Sequence, residues 1–110
     1  MQEYTTLGET PVDPDDNVVT ALLARARLAP NAPAQAYRSG ETFTEISTRQ
    51  MADRVRGIAK GLMALGLESG TAVCLFSASR KEFTWCDYAI WMAGCTVVPI
   101  YESDAADQVK

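Results

Sequence analysis

Apolar and polar positions follow two different periods along this chain, and each change of period marks an element. Residues 1–16 follow neither. Glu3, Glu9, Asp13, Asp15 and Asp16 stand there without a basic residue, and Pro11 and Pro14 interrupt any helix. The stretch is expected to be an acidic, mobile lead-in. A helical period begins at Val18 and runs to Leu28. Val18, Val19, Leu22, Leu23 and Ala26 share one face, while Arg25 and Arg27 fall off it. Asp16 or Asn17 is placed to cap this helix, and Pro30 and Pro33 end it. Residues 34–44 then read as a small hairpin: Ala34 to Arg38, a Ser39-Gly40 turn, and a return from Glu41 to Thr44.

The second helix carries the strongest periodicity. Ile46, Met51, Val55, Ile58, Leu62 and Leu65 recur mostly three or four residues apart, and Arg49, Asp53, Arg54, Arg56 and Lys60 take the wet side. Thr44 is expected to cap it with Glu45 in its first turn, and Gly66 to stop it. Gly57 and Gly61 inside it each cost up to ~1 kcal/mol relative to alanine, which is tolerable where another backbone packs close.

Beyond Gly70 the period changes again. Ala72 to Phe76 is apolar at every position, which predicts a strand covered on both faces of a parallel sheet. Ser79 is placed to cap a third helix from Arg80 to Ala93, closed by Gly94; Thr96 to Ile100 then forms a second buried strand. Ala105 onward reads as the first turn of another helix. Strand, helix and strand with short loops make a βαβ unit, with parallel strands and a right-handed crossover. The fold class is therefore α/β: a parallel sheet covered by helices, with a small hairpin before it. The third helix is apolar nearly all round, from Phe83 through Ala93, and such a helix is normally buried on all sides. A domain of 110 residues has little bulk for that. The expected partner is the remainder of a larger domain, or a second copy, against the sheet edge and helix 80–93.

Charge and composition narrow the chemistry. Ten Lys and Arg against fourteen Asp and Glu leave a net charge of -4, so there is no basic excess for nucleic acid. Histidine is absent from the sequence, which removes Ser-His and Cys-His nucleophiles and His-based metal sites from these residues. Cys74, Cys86 and Cys95 form no CxxC pair and stand among apolar neighbours, as reduced buried thiols do. The run Phe83 to Tyr101 is mostly apolar, but Asp87, Gly94 and Pro99 break it, so no membrane-spanning segment is expected. The first residues lack the basic start and apolar stretch of a signal peptide, and a cytoplasmic location is expected.

Few residues invite a chemical role. Asp13 to Asn17 resembles the start of a calcium loop, yet Val18 replaces its glycine and Ala24 its final glutamate. Gly66-Leu-Glu-Ser-Gly70-Thr has no phosphate-binding lysine and reads as a helix stop and a turn. Ser79-Arg80-Lys81 follows the first parallel strand, on the side where open α/β sheets bind ligands, and is the best-placed candidate. Glu102, Asp104 and Asp107 follow the second strand at the same end. Trp85, Tyr88 and Trp91 lie three residues apart and read as packing. No nucleophile with a base, no metal cluster and no phosphate loop is assembled in these residues, so no catalytic, cofactor-binding or metal residue is assigned.

Residues 62–101 nevertheless carry a recognisable pattern. Leu62-Met-Ala-Leu-Gly-Leu-Glu-Ser-Gly70-Thr-Ala-Val-Cys-Leu-Phe76, then Ser77-Ala-Ser-Arg80-Lys-Glu82, resembles the helix-to-strand passage of AMP-forming acyl-CoA synthetases. Asp87-Tyr-Ala-Ile-Trp-Met-Ala-Gly94-Cys-Thr-Val-Val-Pro99-Ile-Tyr101-Glu-Ser103 continues the likeness, and Thr42-Phe-Thr-Glu45-Ile resembles an earlier landmark. The Pro-Ile-Tyr ending is most similar to the long-chain fatty-acid–CoA ligase branch. Thr71 stands where that family usually has Asp, and Lys81-Glu82-Phe83 where Pro-Glu-Trp is common. The resemblance implies that residues 17–110 are the opening part of an acyl-adenylating N-terminal domain. It implies a parent enzyme that uses ATP, magnesium and coenzyme A, whose adenylating motifs match nothing here. The segment alone is then expected to be inactive. The competing reading is a stand-alone α/β module that works by binding or oligomerising, and a weaker one makes the third helix a surface for another protein.

Overall fold

Asn17 sets the start of the first helix. Its side chain accepts from the backbone N–H groups of Val19 and Thr20, and the Thr20 hydroxyl accepts in return from the Asn17 N–H at 2.8 Å. Helix α1 (Val18–Leu28) follows in this computed structural model, which describes residues 2–104. Residues 2–16 carry no helix or strand and are exposed. The helical turn expected from Ala105 and the carboxylate of Asp107 lie outside the described residues.

The hairpin is longer than its sequence suggested. Strand β1 (Pro33–Ser39) pairs antiparallel with β2 (Thr42–Ser47), in a register that sets Tyr37 opposite Thr44 and Gln35 opposite Ile46. Thr44, Glu45 and Ile46 are therefore strand residues, not the start of a helix. Antiparallel pairing with β1 takes Thr42 to Ile46 into the ladder, and Ser47 takes the cap instead. The Ser47 hydroxyl accepts from Gln50 N–H, and the Gln50 side chain accepts from Ser47 N–H at 2.9 Å. Helix α2 (Thr48–Ala64) then buries Met51, Ala52, Val55 and Ala59. Leu65, expected on that face, is 78% exposed beyond the helix end. Gly57 and Gly61 face open space rather than a close backbone, so the packing reason expected for them is absent among the described residues.

Strand β3 (Ala72–Phe76), helix α3 (Lys81–Met92) and strand β4 (Thr96–Ile100) form the βαβ unit. The two strands are parallel, with Ala72 opposite Thr96 and Phe76 opposite Ile100. Ser79 does not cap α3. Arg80 occupies the cap position in an extended conformation, with no side-chain cap bond.

The main core lies away from this sheet. Leu22 of α1, Ile46 of β2, four residues of α2 and Ala89 of α3 form it, with Trp85, Tyr88 and Tyr37 packed at its margin. Alanines at 52, 59 and 89 let α2 and α3 approach closely. The sheet expected to be covered on both faces has α3 on one face only. Val73, Leu75 and Val97 are half-buried, whereas Ala72, Cys74, Phe76, Thr96 and Val98 are exposed. Helix α3 likewise buries only Ala89 and Ile90 fully. Both differences have one cause: the described residues supply neighbours on one side alone.

One buried hydroxyl ties the first half together. Thr48 is 0% exposed. Its N–H and its hydroxyl both donate to Ala32 O at 2.8 Å, and Arg25 Nε donates to its oxygen at 3.3 Å. Thr48→Val keeps the volume but leaves the arginine without this acceptor. We expect a loss of about 1–3 kcal/mol, read from the urea midpoint with an unchanged m-value.

Candidate functional site

The turn Ser77 to Arg80 carries the chain from the carboxyl end of β3 to the start of α3. It opens on a cleft of about 990 Å³ walled by β1, α3 and the carboxyl end of β4. Tyr37 and Arg38 come from the hairpin, Arg80, Lys81 and Asp87 from the α3 region, and Pro99 and Tyr101 from the end of β4. Trp91, 37% exposed, contributes an aromatic wall and meets Tyr88 edge-to-face with ring centroids 5.5 Å apart.

Arg80 and Lys81 of the Ser79-Arg80-Lys81 candidate are engaged within the chain. Arg80 Nε lies 3.2 Å from a Glu82 carboxylate oxygen. Lys81 Nζ sits 3.6 Å from the centroid of the Tyr37 ring, a cation–π contact that ties α3 to the hairpin. Trp85 adds a second tie by donating its indole N–H to Gln35 Oε1 at 2.7 Å, with the Arg54 guanidinium 5.8 Å from its ring centroid. These bonds orient the hairpin against α3. At the other strand end, Asp104 Oδ2 accepts from Tyr101 N–H at 3.0 Å and closes a turn, and Glu102 is exposed in it. Among the described residues no group of three or more His, Cys, Asp or Glu could hold a metal ion. The donor set in this cleft does not fit a nucleotide triphosphate with its magnesium: Arg80 is paired with Glu82, Lys81 is stacked on Tyr37, Arg38 donates to Gly40 O, and the lining carboxylates Glu82 and Asp87 belong to no metal-holding cluster among the described residues. No step through ATP is assigned to these side chains.

Three groups titrate away from their ordinary values. The backbone N–H at the start of α3 holds the Glu82 carboxyl low; partial burial opposes this, and the Arg80 hydrogen bond and the Arg80 and Lys81 charges add to the lowering. Burial pushes the Asp87 carboxyl above 3.8. The folded state thus binds the Asp87 proton more tightly than the unfolded chain does. Stability from this group is gained as pH falls through the raised value towards 3.8 and is missing above it. Asp87→Asn is expected to raise the melting temperature at pH 7 and to remove that acid-side gain, as read from melts across the acid range.

Burial also pushes the Cys86 thiol up, helped by the Asp87 and Glu82 carboxylates. Cys95 is buried, its Sγ within 3.7 Å of Glu68 O, while Cys74 is exposed. The sequence placed all three cysteines inside; the open sheet face leaves Cys74 out. Alkylation of this chain at neutral pH should therefore label Cys74 first, Cys86 slowly and Cys95 last, as checked by peptide mapping.

Comparison with known proteins gives this arrangement a family. Residues 22–110 match the AMP-binding enzyme family. The long-chain-fatty-acid–CoA ligase FadD15 of Mycobacterium bovis is 32% identical over 110 residues, all of this chain and 18% of that protein. The chain thus spans about a fifth of the length of the curated relatives it matches. In structure, the fatty acid AMP ligase of Legionella pneumophila superposes with a TM-score of 0.74 at 25% identity, over 83% of this chain and 16% of that one. IdnL1 superposes with a TM-score of 0.77 at 30% identity, over 93% of this chain and 20% of its own. No described helix is long and apolar enough to cross a membrane. A hairpin, three helices and a parallel βαβ unit in the order these ligases share, matched from Leu22 to the last residue, make this chain a member of the AMP-binding enzyme family.

Proposed function

We propose that this chain is the opening segment of a longer AMP-forming ligase for long-chain fatty acids. The whole protein joins a fatty-acid carboxylate to the α-phosphate of ATP, releasing pyrophosphate. The thiol of coenzyme A then displaces AMP from the acyl-adenylate and leaves a thioester, with magnesium neutralising the phosphates. The segment itself supplies fold rather than chemistry. The observation that carries this reading is the match along the whole chain to a ligase of that name, of which the chain spans 18%. The cleft at the strand ends agrees with it, since Lys81 stacks on Tyr37 and Arg80 pairs with Glu82 instead of standing free for a reactant.

The test has two parts. An immunoblot of the producing cells against Thr44 to Arg54 should show a product several times heavier than 12.0 kDa. That product should release pyrophosphate with palmitate far faster than with acetate, and the 110-residue chain should release none. Pyrophosphate release by the short chain overturns its assigned inactivity, and a preference for acetate overturns the long-chain assignment.

A further inference from the structure

The basic residues of this chain are unevenly spread. Helices α1 and α2 carry six of the ten lysines and arginines but one of the fourteen acidic residues, Asp53, in a chain whose net charge is -4. Two of the six serve the fold: Arg25 donates to Thr48 and to Pro33 O, and Arg54 lies over the Trp85 ring. Arg27, Arg49 and Arg56 instead line one groove between the two helices, of about 240 Å³. Its floor is apolar, since Leu23 and Ala26 of α1 are half-buried there and Ala52 of α2 is buried. The three arginines stand exposed around it.

Local structure accounts for one of these charges and not for the others. Arg27 lies in the last turn of α1, where the helix dipole favours a cation. Arg49 lies in the first turn of α2, where the dipole disfavours one and no acidic residue offsets it. Among the described residues neither side chain makes a hydrogen bond or an ion pair. Arg56 has a single partner, Asp53, at 3.6 Å, and an exposed pair of that length is weak. Asp53 and Arg56 follow Arg49 by four and seven residues, so all three share one side of α2. Three guanidinium groups against one carboxylate leave two positive charges uncompensated at the groove.

We propose that the α1–α2 groove is a binding site for a dianionic phosphate, held by Arg27, Arg49 and Arg56 and separate from the cleft at the strand ends. A phosphate group carries about -1.5 to -2 charges at pH 7, which matches the two positive charges left over. Its oxygens accept paired N–H bonds from guanidinium forks, a geometry that an ammonium does not offer. A carboxylate or a phosphodiester brings a single charge and matches less well. Asp53 is the opposing charge at the rim, and its removal strengthens the site. Both helices lie within the described residues, so the site stands whether or not the chain belongs to a longer ligase.

Arginine labelling with phenylglyoxal, mapped by peptide mass spectrometry on the protein purified from its producing cells, tests the proposal. Saturating inorganic phosphate, exchanged for chloride at constant ionic strength, should slow labelling of Arg27, Arg49 and Arg56 ~10-fold and leave Arg38 of the hairpin unchanged. Asp53→Asn should lower the phosphate concentration needed for half-protection ~3-fold or more, and Arg49→Gln should raise it ~10-fold at the two remaining arginines. Both positions are exposed, so the fold survives either change. Phenyl phosphate acting at lower concentration than phosphate places a monoester in the groove, its carbon end on Leu23 and Ala52; the reverse order places the free ion there, and either result supports the site. Equal protection by chloride, equal protection of Arg38, or an Asp53→Asn variant that binds no more tightly overturns it. Protection by phosphatidylglycerol vesicles but not by phosphate makes these helices a membrane-facing surface and overturns it too. So does slow labelling without phosphate that becomes fast when residues 1–16 are removed, because the acidic lead-in then fills the groove.

Discussion

Val55→Asp abolishes the fold of this chain. Val55 is 0% exposed and is the largest fully buried apolar side chain, placed in α2 between α1, α3 and the hairpin. Removing its methyl groups costs roughly 1–3 kcal/mol in lost burial and packing. The carboxylate adds a larger penalty, because burying it unpaired costs several kcal/mol even after it takes up a proton. No cation of the described residues belongs to this cluster to pair with it. Net stability of a small domain is only ~5–15 kcal/mol, so a loss of this size removes most or all of it. The expected result is loss of the cooperative thermal transition followed by far-UV circular dichroism. A Val55→Ala variant separates the two contributions by losing only the first. A cooperative melt within a few degrees of wild type for Val55→Asp would refute the assignment of Val55 to the core.

Gly94→Val is expected to be the next most damaging change. Gly94 sits just past α3 at φ 78°, in the left-handed region, and no other residue type adopts positive φ in the described chain. A β-branched side chain there costs more than the ~1–2 kcal/mol of an ordinary residue. Space is short as well. A Cβ on Gly94 would lie 3.2 Å from Ser69 Oγ, and Ser69 cannot simply swing away. Its hydroxyl donates to Gly94 O at 3.3 Å, and Gly70 N–H donates to the same carbonyl at 2.7 Å. Conformational strain, the steric contact and the weakened turn bonds together amount to about 2–4 kcal/mol. Gly94→Ala should lose about half as much. In a Ser69→Gly background that variant should regain only the steric part, which chemical denaturation can resolve. Equal stability of Gly94→Val and wild type would mean that the α3–β4 turn relaxes to another conformation.

The elements whose signals were local were legible from sequence. Asn17, Gly66 and Gly94 marked helix ends through cap and turn chemistry, and Gly66 and Gly94 hold positive φ as that chemistry requires. The parallel βαβ unit followed from apolar runs and loop lengths alone. The start of α2 was misplaced because two patterns overlap there. Thr44 and Glu45 look like a helix start, whereas Thr42, Phe43, Thr44 and Ile46 are residue types that favour strands; pairing with β1, a contact with another segment, decides for the strand. The Ser47–Gln50 capping box was a readable signal for the true boundary. In the site, position was legible and pairing was not. The sequence placed Ser79, Arg80 and Lys81 at the strand end, but the stacking of Lys81 on Tyr37 joins residues 44 positions apart and has no local signature. The open face of β3 was equally hidden. Ala72 to Phe76 is the sequence of a strand covered twice, and nothing in those five residues tells which cover the described chain provides.

The position of the core also has a consequence for how this polypeptide is made. Ribosomes deliver the amino end first, and six of the seven core residues, Leu22 to Ala59, emerge before β3. Helix α2 and the hairpin can therefore gather on the nascent chain at once, through contacts of short sequence separation. Ala89 and the parallel strands come later and dock on a surface already formed. During that interval the exposed edge of β3, with Phe76 beside it, is the part of the newborn chain most open to wrong pairing. Slower elongation just after Ile100 should lengthen the interval and increase capture by holdase chaperones, while slower elongation between the hairpin and α2 should not.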